Sequence, residues 1–178
     1  MDARGEAIVL IGFMGTGKSS AGRELEARTG LRRYDTDAMI KARFGLPIAD
    51  IFAQHGEPAF RDAETAALAQ IPSRATIVVT GGGIVLRAEN VAILRRLGFV
   101  VNLTADETTL FERVSRRATR PLLATENPRA TLSAMLRERE PLYRTAADVT
   151  VDTSRLDHKG VADAVLKAVA KFRGKPVE

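Results

Sequence analysis

The residues most able to do chemistry lie together in Gly12 to Ser20, which reads G-F-M-G-T-G-K-S-S. Gly12, Gly17, Lys18 and Ser19 complete a G-x-x-x-x-G-K-[S/T] pattern whose parts have separate physical tasks. The glycines let backbone N–H groups turn inward around a phosphate, the Lys18 ammonium reaches the β- and γ-phosphates, and the Ser19 hydroxyl ligates Mg²⁺. Gly15, Thr16 and Ser20 fall within the same nucleotide-binding stretch. Such a loop works between a strand and a helix N-terminus, where unpaired N–H groups favour an anion. The flanks meet that condition. Ala7 to Ile11 is an apolar run suited to a buried parallel strand, and Ser20 to Arg28 reads as a helix that Gly30 closes.

A second set of candidates is acidic. Asp35-Thr36-Asp37 follows the short strand-like stretch Leu31 to Tyr34, which places it at a carboxyl strand end, the side on which open α/β sheets bind ligands. On an extended segment residues two apart point the same way, so Asp35 and Asp37 are expected to share one site. Beside a Mg-nucleotide, one carboxylate can support the water shell of the metal and the other can orient an attacking hydroxyl. The competing reading is that either Asp caps the helix expected from Ala38. Arg61 and Glu64 are three apart on a helix opening at Glu57, and they read equally well as a surface ion pair. Gly81-Gly82-Gly83 follows the β-branched run Thr76 to Thr80, a central strand. Three glycines there let a ligand approach the backbone, or simply form a turn.

The elements that must position these residues alternate. After the acidic segment, helices are expected to Phe44, over Ile48 to Gln54 and over Glu57 to Gln70, broken at Gly45 and Gly56. A helix over Arg87 to Leu97 precedes a strand over Phe99 to Leu103, and Thr104 with Glu107 reads as the capping box of a helix to about Arg116. Arg129 to Glu140 is helical and ends at Pro141-Leu142-Tyr143. A last strand, Val149 to Asp152, leads to an amphipathic helix whose stripe Val161, Val165, Leu166, Val169 and Phe172 is core. This order predicts one α/β domain over residues 1–178, a five-stranded parallel sheet with helices on both faces. Residues 117–127, with Arg120 and Pro121, read as a small mobile lid.

Composition narrows the function classes. In 178 residues, 45% are hydrophobic and 28% charged, ordinary for a globular domain. No apolar stretch approaches the ~18 residues of a membrane span, and Met1 to Glu6 carries Asp2, Arg4 and Glu6 rather than a secretory signal, so a cytoplasmic location without a membrane partner is expected. The absence of cysteine excludes disulfides and thiolate metal sites, and two histidines make a histidine-built metal site unexpected. The net charge of +5 is local: Arg113, Arg116, Arg117, Arg120, Arg129, Arg137, Arg139 and Arg144 face only Glu126, Glu138 and Glu140 in the same segment. Arginine suits bidentate recognition of phosphate and carboxylate. With only Phe111 and Tyr143 as neighbouring aromatics, a base-stacking surface is not supported, and no nucleic-acid partner is expected.

From one end almost to the other, the chain resembles shikimate kinase. The resemblance rests on G-F-M-G-T-G-K-S at Gly12 to Ser19, D-T-D at Asp35 to Asp37, F-R-x-x-E at Phe60 to Glu64, G-G-G at Gly81 to Gly83, R-P-L-L at Arg120 to Leu123 and R-x-P-L-Y at Arg139 to Tyr143. It implies a P-loop kinase fold and transfer of the ATP γ-phosphoryl group to the 3-hydroxyl of shikimate, within aromatic amino acid biosynthesis. It implies that Asp37 holds the accepting hydroxyl, that Arg61 and Arg139 pair with the shikimate carboxylate, and that Gly81, Gly82 and Gly83 offer backbone contacts, with residues 36–64 as the substrate-binding helical region. Lys18 and Arg120 would neutralise the transferring group, Ser19 and, through water, Asp35 would hold Mg²⁺, and Arg113 and Arg155 would lie around the adenine. Shikimate and ATP are the expected small-molecule partners of a monomer. The rivals are another small P-loop kinase, for gluconate or a nucleoside monophosphate, and a non-catalytic ATP- or nucleic-acid-binding module.

Overall fold

The structure, a computed structural model, describes residues 5–116 and 125–174. Its strands are β1 (Ala7–Ile11), β2 (Arg33–Asp35), β3 (Ile77–Val79), β4 (Gly98–Thr104) and β5 (Val149–Asp152). The helices are α1 (Lys18–Thr29), α2 (Thr36–Phe44), α3 (Ile48–Ala69), α4 (Ala88–Leu97), α5 (Glu107–Ser115), α6 (Pro128–Ala146) and α7 (His158–Phe172). All strand pairs are parallel, in the order β2-β3-β1-β4-β5. The α/β expectation of a five-stranded parallel sheet with helices on both faces therefore holds.

β1 is central and buried at all five positions, as a strand covered on both faces must be, which explains why its sequence is a continuous apolar run. Val9, Ile11, Val78 and Val100 pack on one face with Leu94, Leu97, Leu110, Leu132 and Tyr143. Ile8, Leu10, Val79, Val101 and Leu103 pack on the other with Ala21, Leu25, Val161, Val165 and Val169. A smaller cluster of Ile40, Ile51, Phe60, Ala63 and Ala67 joins α2 to α3 beyond the β2 edge.

Several local expectations are corrected. Asp35 and Asp37 do not share an extended segment: Asp35 ends β2 and caps α2, its Oδ1 accepting from Ala38 N at 3.1 Å, while Asp37 lies in the first helical turn. The α5 cap is Asp106, whose carboxylate accepts from Thr109 N at 2.8 Å, rather than Thr104. α6 runs through Pro141 to Ala146. Proline removes one N–H from the ladder and normally breaks a helix, but here Tyr143 and Ala146 are buried and packing holds the last turn. The break at Gly56 is present as a positive-φ residue, φ 79°, inside α3. Arg120, with residues 117–124 of the segment expected to be a lid, lies outside the described residues.

Candidate active site

The loop from Gly12 to Gly17 carries the chain from the carboxyl end of β1 into α1, with positive φ at Gly12, Gly15 and Gly17. These are conformations that a side chain strongly disfavours, so the glycine spacing is a requirement of the turn. A methyl group at Gly12 would also strike the Leu103 carbonyl of β4. Lys18 is buried, and its ammonium donates to Gly12 O at 2.7 Å and Phe13 O at 2.8 Å. The cation thus lies across the inside of the loop, where phosphate oxygens would replace carbonyls as its acceptors. Thr16 is buried and its hydroxyl donates to Phe13 O at 2.8 Å, bracing the same turn. Ser19 and Ser20 follow in the first turn of α1, half-buried.

A polar hollow adjoins this loop at the carboxyl ends of β2 and β3. Gly81-Gly82-Gly83 forms its floor: a methyl group built at Gly81 would sit 2.6 Å from Asp37 Oδ1 and 3.1 Å from Glu64 Oε1, and one at Gly83 would land on the Arg61 guanidinium. Only glycine lets three charged side chains close on this turn. Gly81 N donates to Thr36 Oγ1 at 3.1 Å, which joins the turn to α2. Gly82 faces the phosphate loop, where a methyl would be 3.5 Å from Met14 N.

Arg61 and Glu64 form a buried ion pair, Nη1 to Oε2 at 2.6 Å, and Arg61 is further bonded by Nη2 to Glu57 Oε1 at 2.8 Å. The surface-pair reading is therefore overturned: Glu64 is 0% exposed. Burial pushes the Glu64 carboxyl upward and the Arg61 charge pulls it back, with Asp37 adding to the rise. Burial works against the Arg61 charge too, but Glu64 and Glu57 outweigh it and the guanidinium is raised. Arg139 reaches in from α6, 8% exposed, and its Nε is buried with no hydrogen-bond partner among the described residues. A buried guanidinium N–H without an acceptor is costly, and an anionic ligand would relieve it.

The metal donors differ from an all-protein cage. Among the described residues no cluster of three His, Cys, Asp or Glu could hold a cation. The Ser19 hydroxyl beside the phosphate loop fits Mg²⁺ that arrives with nucleotide phosphates and keeps several waters. Asp35 is in register with Val79, and Val79 with Leu10 of β1, two strand spacings or about 10 Å across. Its carboxylate also caps α2 and meets Arg33 Nη1 at 3.6 Å.

Comparison with known proteins shows the family. The family model for shikimate kinase matches residues 14–170. A shikimate kinase of Thioalkalivibrio sulfidiphilus is 48% identical over 149 residues, 83% of this chain and 78% of that protein. One from Nitrobacter winogradskyi is 44% identical over 160 residues, 89% and 74% of the two chains. The solved structure of shikimate kinase from Acinetobacter baumannii in complex with shikimate superposes with a TM-score of 0.84 at 32% identity, covering 99% of this chain and 97% of that one. The chain belongs to the shikimate kinase family.

The remaining candidates divide. Arg113 is tied to Thr153 of the loop after β5 and to the nucleotide loop rather than projecting freely: Nη1 donates to Thr153 Oγ1 at 3.0 Å and to Gly15 O at 3.4 Å, and Nη2 to Thr153 O at 2.9 Å. Arg155 is exposed on the same loop after β5. Thr153 was not singled out from the sequence, yet it is 1% exposed and its hydroxyl lies 3.0 Å from Thr104 O and 3.2 Å from Thr16 O. A lone Thr in a loop carries no signal of such a junction. Tyr143, whose hydroxyl donates to Gly82 O, was not singled out because the helix was read as stopping at Pro141. Its signal was the four-residue spacing from Arg139, one helical turn on the same face.

Proposed function

We propose that the protein transfers the γ-phosphoryl group of ATP to the 3-hydroxyl of shikimate, giving shikimate 3-phosphate and ADP. The observation that carries this reading is the convergence of Asp37, Arg61 and Glu64 on the Gly81–Gly83 turn beside the Gly12–Ser19 loop, with the buried Arg139 close enough to act on the Glu64 carboxylate. The acceptor is a compact hydroxylated acid, and the hollow offers two buried arginines for its carboxylate and one carboxylate for a hydroxyl. Membership of the family and the shikimate-bound relative from Acinetobacter baumannii support the choice of acceptor.

In this reading Arg61 and Arg139 hold the shikimate carboxylate, and the Gly81–Gly83 turn lies against its ring. Asp37 orients the accepting hydroxyl and takes its proton as the O–P bond forms. Lys18 leaves the Gly12 and Phe13 carbonyls for the β- and γ-phosphates, which it stabilises as charge spreads over the transferring group. Arg120, outside the described residues, would act as an arginine finger on the transferring group. Ser19 would hold Mg²⁺ and Asp35 would bear on its water shell, and the ion would offset the charge of the nucleotide phosphates. Gly15 to Ser20, Arg113 and Arg155 would surround the nucleotide. The chain would work as a single-domain cytoplasmic monomer. No helix among the described residues is long and apolar enough to cross a membrane.

The test is ADP release from Mg-ATP with shikimate, gluconate, nucleoside monophosphates or no acceptor. Strong stimulation by shikimate alone is expected. Stimulation by another acceptor, or none despite ATP binding, would reject the assignment.

A further inference from the structure

We infer that Tyr143 is a positioning residue for the acceptor: its hydroxyl fixes the Gly82–Gly83 peptide, and through it the floor on which the acceptor and Arg61 lie. The inference rests on the acceptor reading of the hollow given above.

Each carbonyl of the glycine turn has a different partner. Gly81 O accepts from Ile84 N at 3.3 Å and Gly83 O from Leu86 N at 3.0 Å, so the outer two are satisfied within the turn itself. The middle one, Gly82 O, accepts from the Tyr143 hydroxyl of α6, sixty-one residues away. A trans peptide is planar, with its carbonyl and the following N–H pointing in opposite directions. Holding Gly82 O therefore fixes the direction of the Gly83 N–H, against whose residue the Arg61 guanidinium is packed. With no side chain on any of the three residues, the central peptide can turn over within the hydrogen-bonded turn more readily than one flanked by Cβ atoms.

Tyr143 suits this task. It is 2% exposed and packs in the core face shared by α6 and the central strands, so its ring has little freedom. Burial pushes its phenol well above the ordinary range, with Arg139 working against the rise, and it remains a neutral donor at physiological pH. Arg139 stands one turn earlier on α6, so one helix presents the carboxylate-binding arginine and the tie to the glycine floor together. The groups facing the phenol are Arg139 of α6 and Arg61 and Glu64 of α3.

The test is Tyr143→Phe, which deletes the hydroxyl and leaves the ring in the core. Loss of one such bond is expected to raise the KM for shikimate roughly five- to tenfold while the KM for ATP stays within about twofold. KM does not depend on how much of the preparation is folded, so the split is readable even where the variant melts earlier. An unchanged shikimate KM, or equal rises for both substrates, would overturn the role of Tyr143 while leaving the acceptor assignment in place. Wild-type protein that shikimate fails to stimulate would remove both.

Discussion

Asp35 shows how one side chain can carry two tasks that only a paired substitution separates. Its carboxylate caps α2 through Ala38 N, and it also stands at the strand end where the water shell of a metal would be supported. Asparagine caps a helix as well as aspartate does, whereas alanine costs about 1 kcal/mol at such a position. Asp35→Asn is therefore expected to keep the melting temperature near that of the wild type while raising the Mg²⁺ concentration needed for half-maximal turnover. Asp35→Ala should lower both stability and Mg²⁺ response. Equal Mg²⁺ titrations for Asp35→Asn and the wild type would leave Asp35 as a cap alone. Asp37, two residues on, was singled out in the sequence on an incorrect geometric expectation: the pair was expected to point alike from a strand, but the strand ends at Asp35 and the helical turn rotates Asp37 toward Gly81 and Glu64.

At the scale of elements, the sequence was most readable where period and composition agreed. β1, its loop and α1 follow from an apolar run, obligate glycines and a helix start, and β5 was placed at its observed bounds. Less legible were contacts that join distant segments, because they depend on tertiary packing rather than on a local pattern. Pro141 signals a helix end, yet the burial of Tyr143 and Ala146 outweighs one lost backbone bond. Thr153 is the second case. Its hydroxyl joins the loop after β5 to Thr16 of the nucleotide loop, to Thr104 at the end of β4 and to Arg113 of α5. Thr153→Val keeps the shape but leaves those buried polar partners short of a bond, a loss of about 1–3 kcal/mol. The expected result is a lower melting temperature and a KM for ATP raised several-fold, with the KM for shikimate unchanged. A shift confined to shikimate would mean that this junction serves the other half of the site.

At the scale of the molecule, the +5 charge is concentrated between Arg113 and Arg144, the segment that includes α6 and Arg139. Both expected substrates are anions, and on the proposed reading Arg113, Arg120 and Arg139 of this segment bind them, so the same charge excess would also steer their approach. Fields of this kind raise encounter rates and are screened over a Debye length of ~30 Å at 0.01 M salt and ~10 Å at 0.1 M. Contacts inside the hollow respond much less, since Arg61, Glu64 and Arg139 are buried and buried pairs are weakly screened. Raising sodium chloride from about 0.01 M to about 0.1 M at saturating Mg-ATP is therefore expected to lower kcat/KM for shikimate several-fold while kcat changes little. The check is the initial rate of ADP release across a shikimate titration at each salt concentration. A kcat/KM that stays flat would confine the arginine excess to contacts at the site, and a parallel fall in kcat would place the salt effect on the transfer step or on closure rather than on encounter.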